Sequence, residues 1–144
     1  MAFVIFMVRI NIINPKMLAD QHLIAEYLEI MMLVGHTKKH PSINGMPEKY
    51  KLGTGHITFF KNKLVYLKER HELIKKEMKK RGFVARKTIS FKGINKNLIN
   101  NWKPEKGDKE LIKERLIWKI SQKPKWYRYY GEKKDLKFYK ELIK

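Results

Sequence analysis

Apolar side chains recur at helical spacing in three long stretches of the sequence, over residues 18–34, 62–82 and 108–122. Long, polar, turn-rich connections separate these stretches. The pattern therefore predicts a mostly α fold, a compact single domain of about three main helices with long loops. The side chains expected to be buried are Leu64, Leu67, Ile74 and Met78 in the second helix, and Ile112, Leu116 and Ile120 in the third.

Capping residues indicate where the predicted helices begin and end. Asp20 is a suitable cap for the first helix, and Gly35 a suitable C-terminal stop after Val34. Asn62 and Asp108 are the corresponding caps of the second and third helices. We expect the first helix to end before Gly35 and the third to begin near Asp108.

The connections between helices contain few regular elements. Residues 36–55 are basic and interrupted by Pro and Gly, which predicts a surface loop. Residues 83–107 contain at most a short strand at 88–91, and Trp102 is expected to plug the core. Residues 132–144 carry apolar side chains at helical spacing, which indicates a short C-terminal tail helix.

Composition adds a strong constraint on the partner. The 144 residues include 33 Lys and Arg against 14 Asp and Glu, a net charge of +19, and no cysteine. Disulfides and thiolate metal sites are excluded, and a polyanion is the simplest partner for the unbalanced positive charge. Anionic lipid is a weaker competitor than nucleic acid.

The chain opens with the apolar octet MAFVIFMV, which meets Arg9 well short of the ~20 residues that span a bilayer. No basic residue precedes it and no small-residue cleavage site follows. We expect no membrane contact and a cytoplasmic, nucleoid-associated protein. We also expect a monomer, because the sequence shows no coiled-coil seam.

The first predicted helix carries a polar stripe. His22, Glu26 and Glu29 lie at i, i+4 and i+7, on one helix face. Three interpretations are open: a solvent-exposed face, a metal site, or an acid/base site. From these residues alone we favour the solvent-exposed face. We expect no metal, because no matching carboxylate motif accompanies the other histidines.

Two further clusters suit nucleic acid. The run Trp126, Tyr127, Arg128, Tyr129 and Tyr130 offers rings that stack on bases and cations that hold phosphates. It is equally consistent with a buried aromatic patch near the C-terminus. Arg115 and Lys119 share a basic face of the third helix, which is weaker support, since exposed charge often only keeps a face in water.

Six sequence blocks stand out along the chain: RIN at 9–11, LADQHLIAEYLE at 18–29, KKH at 38–40, LGTGHITFFKNKL at 52–64, KKRGF at 79–83 and KPKWYRYYG at 123–131. In their order and similar spacing they resemble the pyrimidine-dimer-specific DNA glycosylase and abasic-site lyase family, the dimer-excising type of endonuclease V. The resemblance covers nearly the whole chain from Val8 to Gly131, and its specificity comes from the joint agreement of the blocks.

The resemblance implies a single DNA-repair domain over residues 1–144, with an N-terminal segment that threads between helices. It implies a DNA N-glycosylase and abasic-site lyase without a cofactor, acting on damaged pyrimidines in double-stranded DNA, such as UV cyclobutane dimers. The family's nucleophile is the α-amine of the mature N-terminus. An α-amine titrates near ~8 and lysine near ~10.4, so far more of the α-amine is neutral at physiological pH.

Site residues follow from the matched positions. The resemblance implies the nucleophile at the α-amine of Val8 and the catalytic carboxylate at Glu29. Arg9 and His22 are expected near the phosphates of the lesion, with Glu26 in an orienting role beside them. The remaining expected DNA contacts are Arg115, Lys119, Trp126, Tyr127, Arg128 and Tyr129.

Two departures from the family pattern bear on function. Leu28 and Met32 stand where the family has arginines, so this chain is expected to recognise its lesion differently. Residues 1–7 precede Val8 and, fully extended, would displace the amine by up to ~23–25 Å. We therefore expect residues 1–7 to be an extension or a mis-assigned start, with translation beginning at Met7. The alternative functions are a non-catalytic damaged-DNA binding protein and, ranked lower, a metal-dependent nuclease that uses the stripe of the first helix.

Overall fold

The computed structural model describes residues 10–144. Within this range the chain is mostly helical, and three long helices dominate, which confirms the predicted fold class. The elements are α1 (Asp20–Lys39), α2 (His56–Phe60), α3 (Leu64–Lys80), α4 (Lys106–Gln122), α5 (Leu136–Leu142), the strands β1 (Arg128–Tyr129) and β2 (Glu132–Lys133), and 3-10 turns at Pro15–Met17 and Lys96–Leu98.

The core forms where α1 packs on α3 and where α4 contributes one apolar stripe. All seven side chains predicted to be buried in the second and third helices are at most 2% exposed, which confirms both stripes. Trp102 packs against a cluster of rings formed by Tyr50, Phe59, Phe60 and Tyr66, as predicted. Burial of each such aliphatic or aromatic side chain contributes roughly 1.5–3 kcal/mol.

The predicted helix boundaries were partly wrong. Lys63, not Asn62, is the cap residue of α3. α1 does not stop at Gly35 but continues to Lys39, and it ends where Pro41 disfavours a helical conformation at His40. Just beyond the helix, the ammonium of Lys61 donates to the carbonyl oxygens of His40 (2.6 Å) and Ser42 (3.1 Å). α4 begins before Asp108. That residue closes a capping box with Glu105, whose backbone N–H donates to the Asp108 carboxylate at 2.9 Å.

The loops also differ from expectation. The predicted strand at 88–91 is absent, and these described residues form no ladder. The predicted surface loop at 36–55 contains the last turn of α1. The short helix α2, which follows it, was not predicted. The strands β1 and β2 pair antiparallel, with Arg128 opposite Lys133 and Tyr129 opposite Glu132.

The N-terminal segment, residues 10–18, is held by side chains rather than by strand pairing. Ile10, Asn11, Ile12 and Ile13 are at most 4% exposed. Their buried backbone groups need partners, and side chains from elsewhere in the fold supply several of them. The carbonyl oxygen of Ile10 accepts from Tyr50, that of Ile13 from Arg70, that of Lys16 from Tyr129, and those of Pro15 and Leu18 from Arg81.

Ile12 shows how firmly this segment is held. Its φ of 45° lies in the left-handed region, where a β-branched residue is strained. Such strain costs of order 1–3 kcal/mol and persists only where the surroundings impose it. Here the backbone on both sides of Ile12 is bound, at Ile10 and at Ile13.

A buried ion pair ties the segment to α1. Arg70 on α3 donates to both carboxylate oxygens of Glu26, at 2.8 and 3.1 Å, and also to the carbonyl oxygen of Ile13. Arg70 is 4% exposed and Glu26 is fully buried. The bidentate geometry satisfies both ions, so loss of either partner would leave a buried charge without compensation.

No helix among residues 10–144 is long and apolar enough to span a bilayer.

Replacing Arg70 by Leu is expected to lower the free energy of unfolding by about 3–5 kcal/mol, because it leaves the Glu26 carboxylate buried and unpaired. The matched control is Glu72→Gln, which breaks the Lys75–Glu72 pair (3.0 Å) at a half-exposed position and should cost less than ~1 kcal/mol. Urea unfolding of both variants measures the difference. Equal losses would contradict the anchoring role of Arg70.

Candidate active site and nucleic-acid interface

The polar stripe of α1 is buried. Glu26 is 0% and Glu29 8% exposed, and both ring nitrogens of His22 are inaccessible to solvent. The solvent-exposed interpretation favoured from the stripe alone was therefore wrong. The physical reason is that this face of α1 packs inside the protein, where Glu26 meets Arg70 of α3 and His22 meets Tyr127.

Glu26 lies in the core rather than at a surface. Both of its carboxylate oxygens are engaged by Arg70, and Arg70 in turn holds Ile13. This geometry corrects any expectation of direct contact between Glu26 and DNA. It fits the orienting role, since Glu26 links the N-terminal segment to α1 one turn before Glu29.

Glu29 occupies the boundary between the core and an apolar surface. Its neighbour Leu28 is 50% exposed, and Met32, one turn later, is 48% exposed. The positions at which the resemblance led us to expect arginines therefore present apolar surface beside a largely buried carboxylate. Burial strengthens the electrostatic effect of a carboxylate on a nearby cationic centre.

His22 is a neutral imidazole in this site. Its ring packs against Tyr127, with centroids 4.8 Å apart. Burial and then the positive charge of Lys119 lower the pKa of His22 to about 3. A neutral ring offers one donor and one acceptor, and within residues 10–144 neither nitrogen has a hydrogen-bond partner. His22 therefore cannot attract phosphate as a cation, and its ring acts as a packing surface for Tyr127.

Of the two residues on the basic face of α4, only Lys119 lies near His22. Lys119 lies close enough to His22 to shift its pKa. The guanidinium of Arg115 instead lies 5.5 Å from the ring centre of the exposed Trp118. Arg115 and Trp118 line an open groove of about 450 Å³ together with Leu52, Leu111 and Glu114.

The aromatic run near the C-terminus divides between the two interpretations. Tyr127 is 6% exposed and packs on His22, as a core patch would. Trp126 and Tyr130 are 53% and 40% exposed, and Arg128 is also exposed, as a nucleic-acid surface requires. Lys123 lies 5.3 Å from the ring centre of Trp126 and adds positive charge to that surface.

Asp20 and Gln21 at the start of α1 hold this aromatic run in place. The amide of Gln21 donates to the carbonyl oxygen of Trp126 (2.8 Å) and accepts from the backbone N–H of Arg128 (3.0 Å). The carboxylate of Asp20 accepts from the backbone N–H groups of Tyr130 (3.0 Å) and Gly131 (2.8 Å). Asp20 was predicted as a cap of its own helix. Ala19 is the cap residue instead, and Asp20 anchors a distant loop.

Arg81 joins these elements and was not predicted as a site residue. Its guanidinium donates to Asp20 (2.9 Å) and to Glu77 (2.8 Å) and lies 4.6 and 4.8 Å from the ring centres of Tyr129 and Tyr130. It also binds the carbonyl oxygens of Pro15 and Leu18. The available signal was the KKRGF block, whose arginine precedes the glycine that follows α3.

His36 and His40 lie one helical turn apart, with ring centres at 4.8 Å. Among residues 10–144, no group of three or more His, Asp or Glu side chains is arranged to hold a metal ion. Val8 and Arg9, the expected nucleophile position and lesion contact, lie outside the described residues.

Comparison with known families places this basic helical domain among the DNA-repair glycosylases. A family model described as pyrimidine dimer DNA glycosylase matches residues 7–90, a span that includes Glu29 and the whole of α1, α2 and α3. Because the match covers more than half of the chain, the chain belongs to the pyrimidine dimer DNA glycosylase family. Damaged DNA is accordingly its partner, and the helix bearing Glu29 lies within the matched part.

The pKa of His22 predicts a pH dependence of stability. In the unfolded chain the imidazole takes up a proton near pH 6.5, but in the folded protein it does so only near pH 3. The unfolded state therefore binds more protons as the pH falls, and stability is lost from pH 6.5 downwards by up to ~1.4 kcal/mol per pH unit.

The measurement is urea unfolding of the wild type and of His22→Gln at pH 7 and pH 4.5. The variant cannot take up this proton, so its stability should fall less steeply than that of the wild type. A difference in the free energy of unfolding that is the same at both pH values reports only changed packing. If the free energy of unfolding falls by the same amount in both proteins between pH 7 and pH 4.5, His22 is not a neutral, buried group.

Proposed function

We propose that this protein is a DNA glycosylase with a coupled abasic-site lyase activity, acting on damaged pyrimidines in double-stranded DNA, such as UV cyclobutane dimers. Membership of the pyrimidine dimer DNA glycosylase family supports the glycosylase activity. The lyase activity rests on one structural observation. The N-terminal segment is tied through Arg70 and Glu26 to α1, one helical turn from the largely buried Glu29.

The proposed reaction begins at the α-amine of a chain that starts at Val8. The nitrogen lone pair attacks C1′ of the damaged nucleotide, and the glycosidic bond breaks with its electron pair leaving on the base. The nitrogen then loses a proton and forms a double bond to C1′, while the ring oxygen leaves C1′ and takes up a proton. The product is an imine, which is protonated and therefore acidifies the hydrogen on C2′.

Strand cleavage follows by elimination. A proton-accepting group of the active site removes the C2′ proton, and the C3′–O bond breaks with its electron pair leaving on the phosphate. Water then hydrolyses the imine and restores the amine. Glu29 is the proposed stabiliser of the cationic sugar and imine and the proposed carrier of these protons, because a shielded carboxylate acts strongly on adjacent positive charge.

Binding to the duplex is proposed to come from positive charge and exposed rings. Lys119, Arg115 and Arg128 supply cations for phosphates, and Trp126 supplies a stacking surface. Arg9 is proposed as a further phosphate contact. Tyr127, Tyr129 and His22 then act as the packed support beneath this surface. We further propose that the protein acts as a monomer on chromosomal DNA.

Borohydride trapping tests the proposal. The form that starts at Val8 should be crosslinked to duplex DNA containing an abasic site or a dimer, and its Glu29→Gln variant should bind that DNA but lose strand cleavage by at least ~100-fold. Glu72→Gln, at a half-exposed carboxylate of α3, is the matched control and should cleave normally. Absence of any covalent adduct from the Val8 form would overturn the proposal.

A second candidate is a protein that binds distorted DNA without cutting it. The exposed, apolar Leu28 and Met32 favour it, because they present no cation to the phosphates beside the lesion. Single-turnover strand cleavage by the full-length chain would exclude this candidate. A metal-dependent nuclease is disfavoured, since Arg70 engages both oxygens of Glu26 and leaves the stripe of α1 short of a ligand. Activity that survives EDTA would exclude it.

A further inference from the structure

Ile10, the first residue that the structure describes, has both of its backbone polar groups bound by side chains. Its N–H donates to Nε2 of His56 at 2.8 Å, and its carbonyl oxygen accepts from the hydroxyl of Tyr50 at 3.0 Å. We infer that Tyr50 and His56 are positioning residues that place the N-terminal amine for attack. This inference rests on the proposed function, in which that amine is the nucleophile.

The local sequence orients His56 for this contact. Nδ1 of His56 lies 2.8 Å from the carbonyl oxygen of Lys51, so Nδ1 carries the proton and Nε2 is left as the acceptor for Ile10. Gly55 precedes His56 with a φ of 93°. A Cβ at Gly55 would lie 2.9 Å from Cγ of Pro47, so the turn that presents the imidazole requires glycine.

Both side chains are rigidly held. Ile10 is 0%, His56 2% and Tyr50 5% exposed. The ring of Tyr50 packs edge-on against Phe59 and Phe60, with centroids 6.1 and 5.9 Å apart. Neither side chain can shift without disturbing this ring cluster, and the binding groups therefore define the position of Ile10 closely.

The amine lies close to this fixed point along the sequence. In a form that starts at Val8, only Arg9 separates the residue bearing the amine from Ile10. Reaction rates depend steeply on placement, and a displacement of 1 Å can cost about 100-fold. Loss of one contact to Ile10 is therefore expected to slow attack by the amine while leaving the cationic DNA surface intact.

The decisive variant is Tyr50→Phe in the form that starts at Val8, because it removes one hydroxyl and keeps the ring. Its matched control is Tyr66→Phe, which removes a hydroxyl from a ring packed on the same cluster, 6.2 Å from Phe60. Single-turnover imine formation, trapped by borohydride on abasic duplex, should fall at least ~10-fold for Tyr50→Phe and less than ~2-fold for Tyr66→Phe. Affinity for a duplex with a tetrahydrofuran abasic analogue should change less than ~2-fold in both.

Variants of His56 supply a conservative rescue. His56→Gln keeps an acceptor for the Ile10 N–H and should trap faster than His56→Leu, which removes it, at similar affinity for the tetrahydrofuran duplex. If His56→Leu does not fold, the trapping rates of Tyr50→Phe and His56→Gln still test the positioning role. Thermal melting is the control for folding.

The outcomes separate the two proposals. If the wild-type Val8 form traps and Tyr50→Phe traps at the same rate, the positioning role is overturned and the proposed function stands. If rate and affinity fall together, the two residues are structural only, which also overturns the inference. If the wild-type Val8 form gives no adduct, the proposed function fails and the inference fails with it.

Discussion

The structure depends on buried side chains that form hydrogen bonds with the backbone of the N-terminal segment. A segment without strand partners would otherwise bury unsatisfied carbonyl and amide groups, each at a cost of about 1–3 kcal/mol. Arg70 and Arg81 bind several of these carbonyl oxygens. Each guanidinium is in turn neutralised by acids of α1 or α3. The same contacts that stabilise the fold thereby determine how residues 10–18 meet α1.

This arrangement also explains why four of the 14 acidic residues are buried. Asp20, Glu26, Glu29 and Glu77 are all at most 8% exposed, and three of them pair with Arg70 or Arg81. These buried acids are balanced by buried cations, Arg70 and Arg81 together with Lys61 and Lys75, so the net charge of +19 is carried mainly by the surface. Such a surface attracts the phosphate backbone without regard to sequence. A protein that binds damaged DNA requires that property.

Much of the fold was predictable from periodicity, and much of the site was not. The buried stripes Leu64 to Met78 and Ile112 to Ile120 follow from 3.6-residue spacing, which reports directly which face of a helix is apolar. Spacing does not report what a polar face meets. The burial of Glu26 therefore needed the partner Arg70, which lies 44 residues away along the chain.

The same limit applies to the ends of elements and to the connecting residues. Gly35 is compatible with a helix end and also with a helix interior, and α1 continues through it to Lys39. Asp20 and Arg81 have ordinary local roles in sequence, and their long-range contacts emerge only when β1 is packed on α1. Only the family resemblance indicates Glu29 as the proposed catalytic carboxylate, because no local pattern distinguishes it from Glu26.

We propose that the N-terminal amine of the form that starts at Val8 is the reacting group. Peptide mapping by mass spectrometry of the borohydride-reduced protein–DNA adduct tests this most directly, because it identifies the nitrogen that carries the sugar. We expect a single adduct on the α-nitrogen of Val8. An adduct on a lysine side chain, with the α-nitrogen of Val8 unmodified, would contradict it.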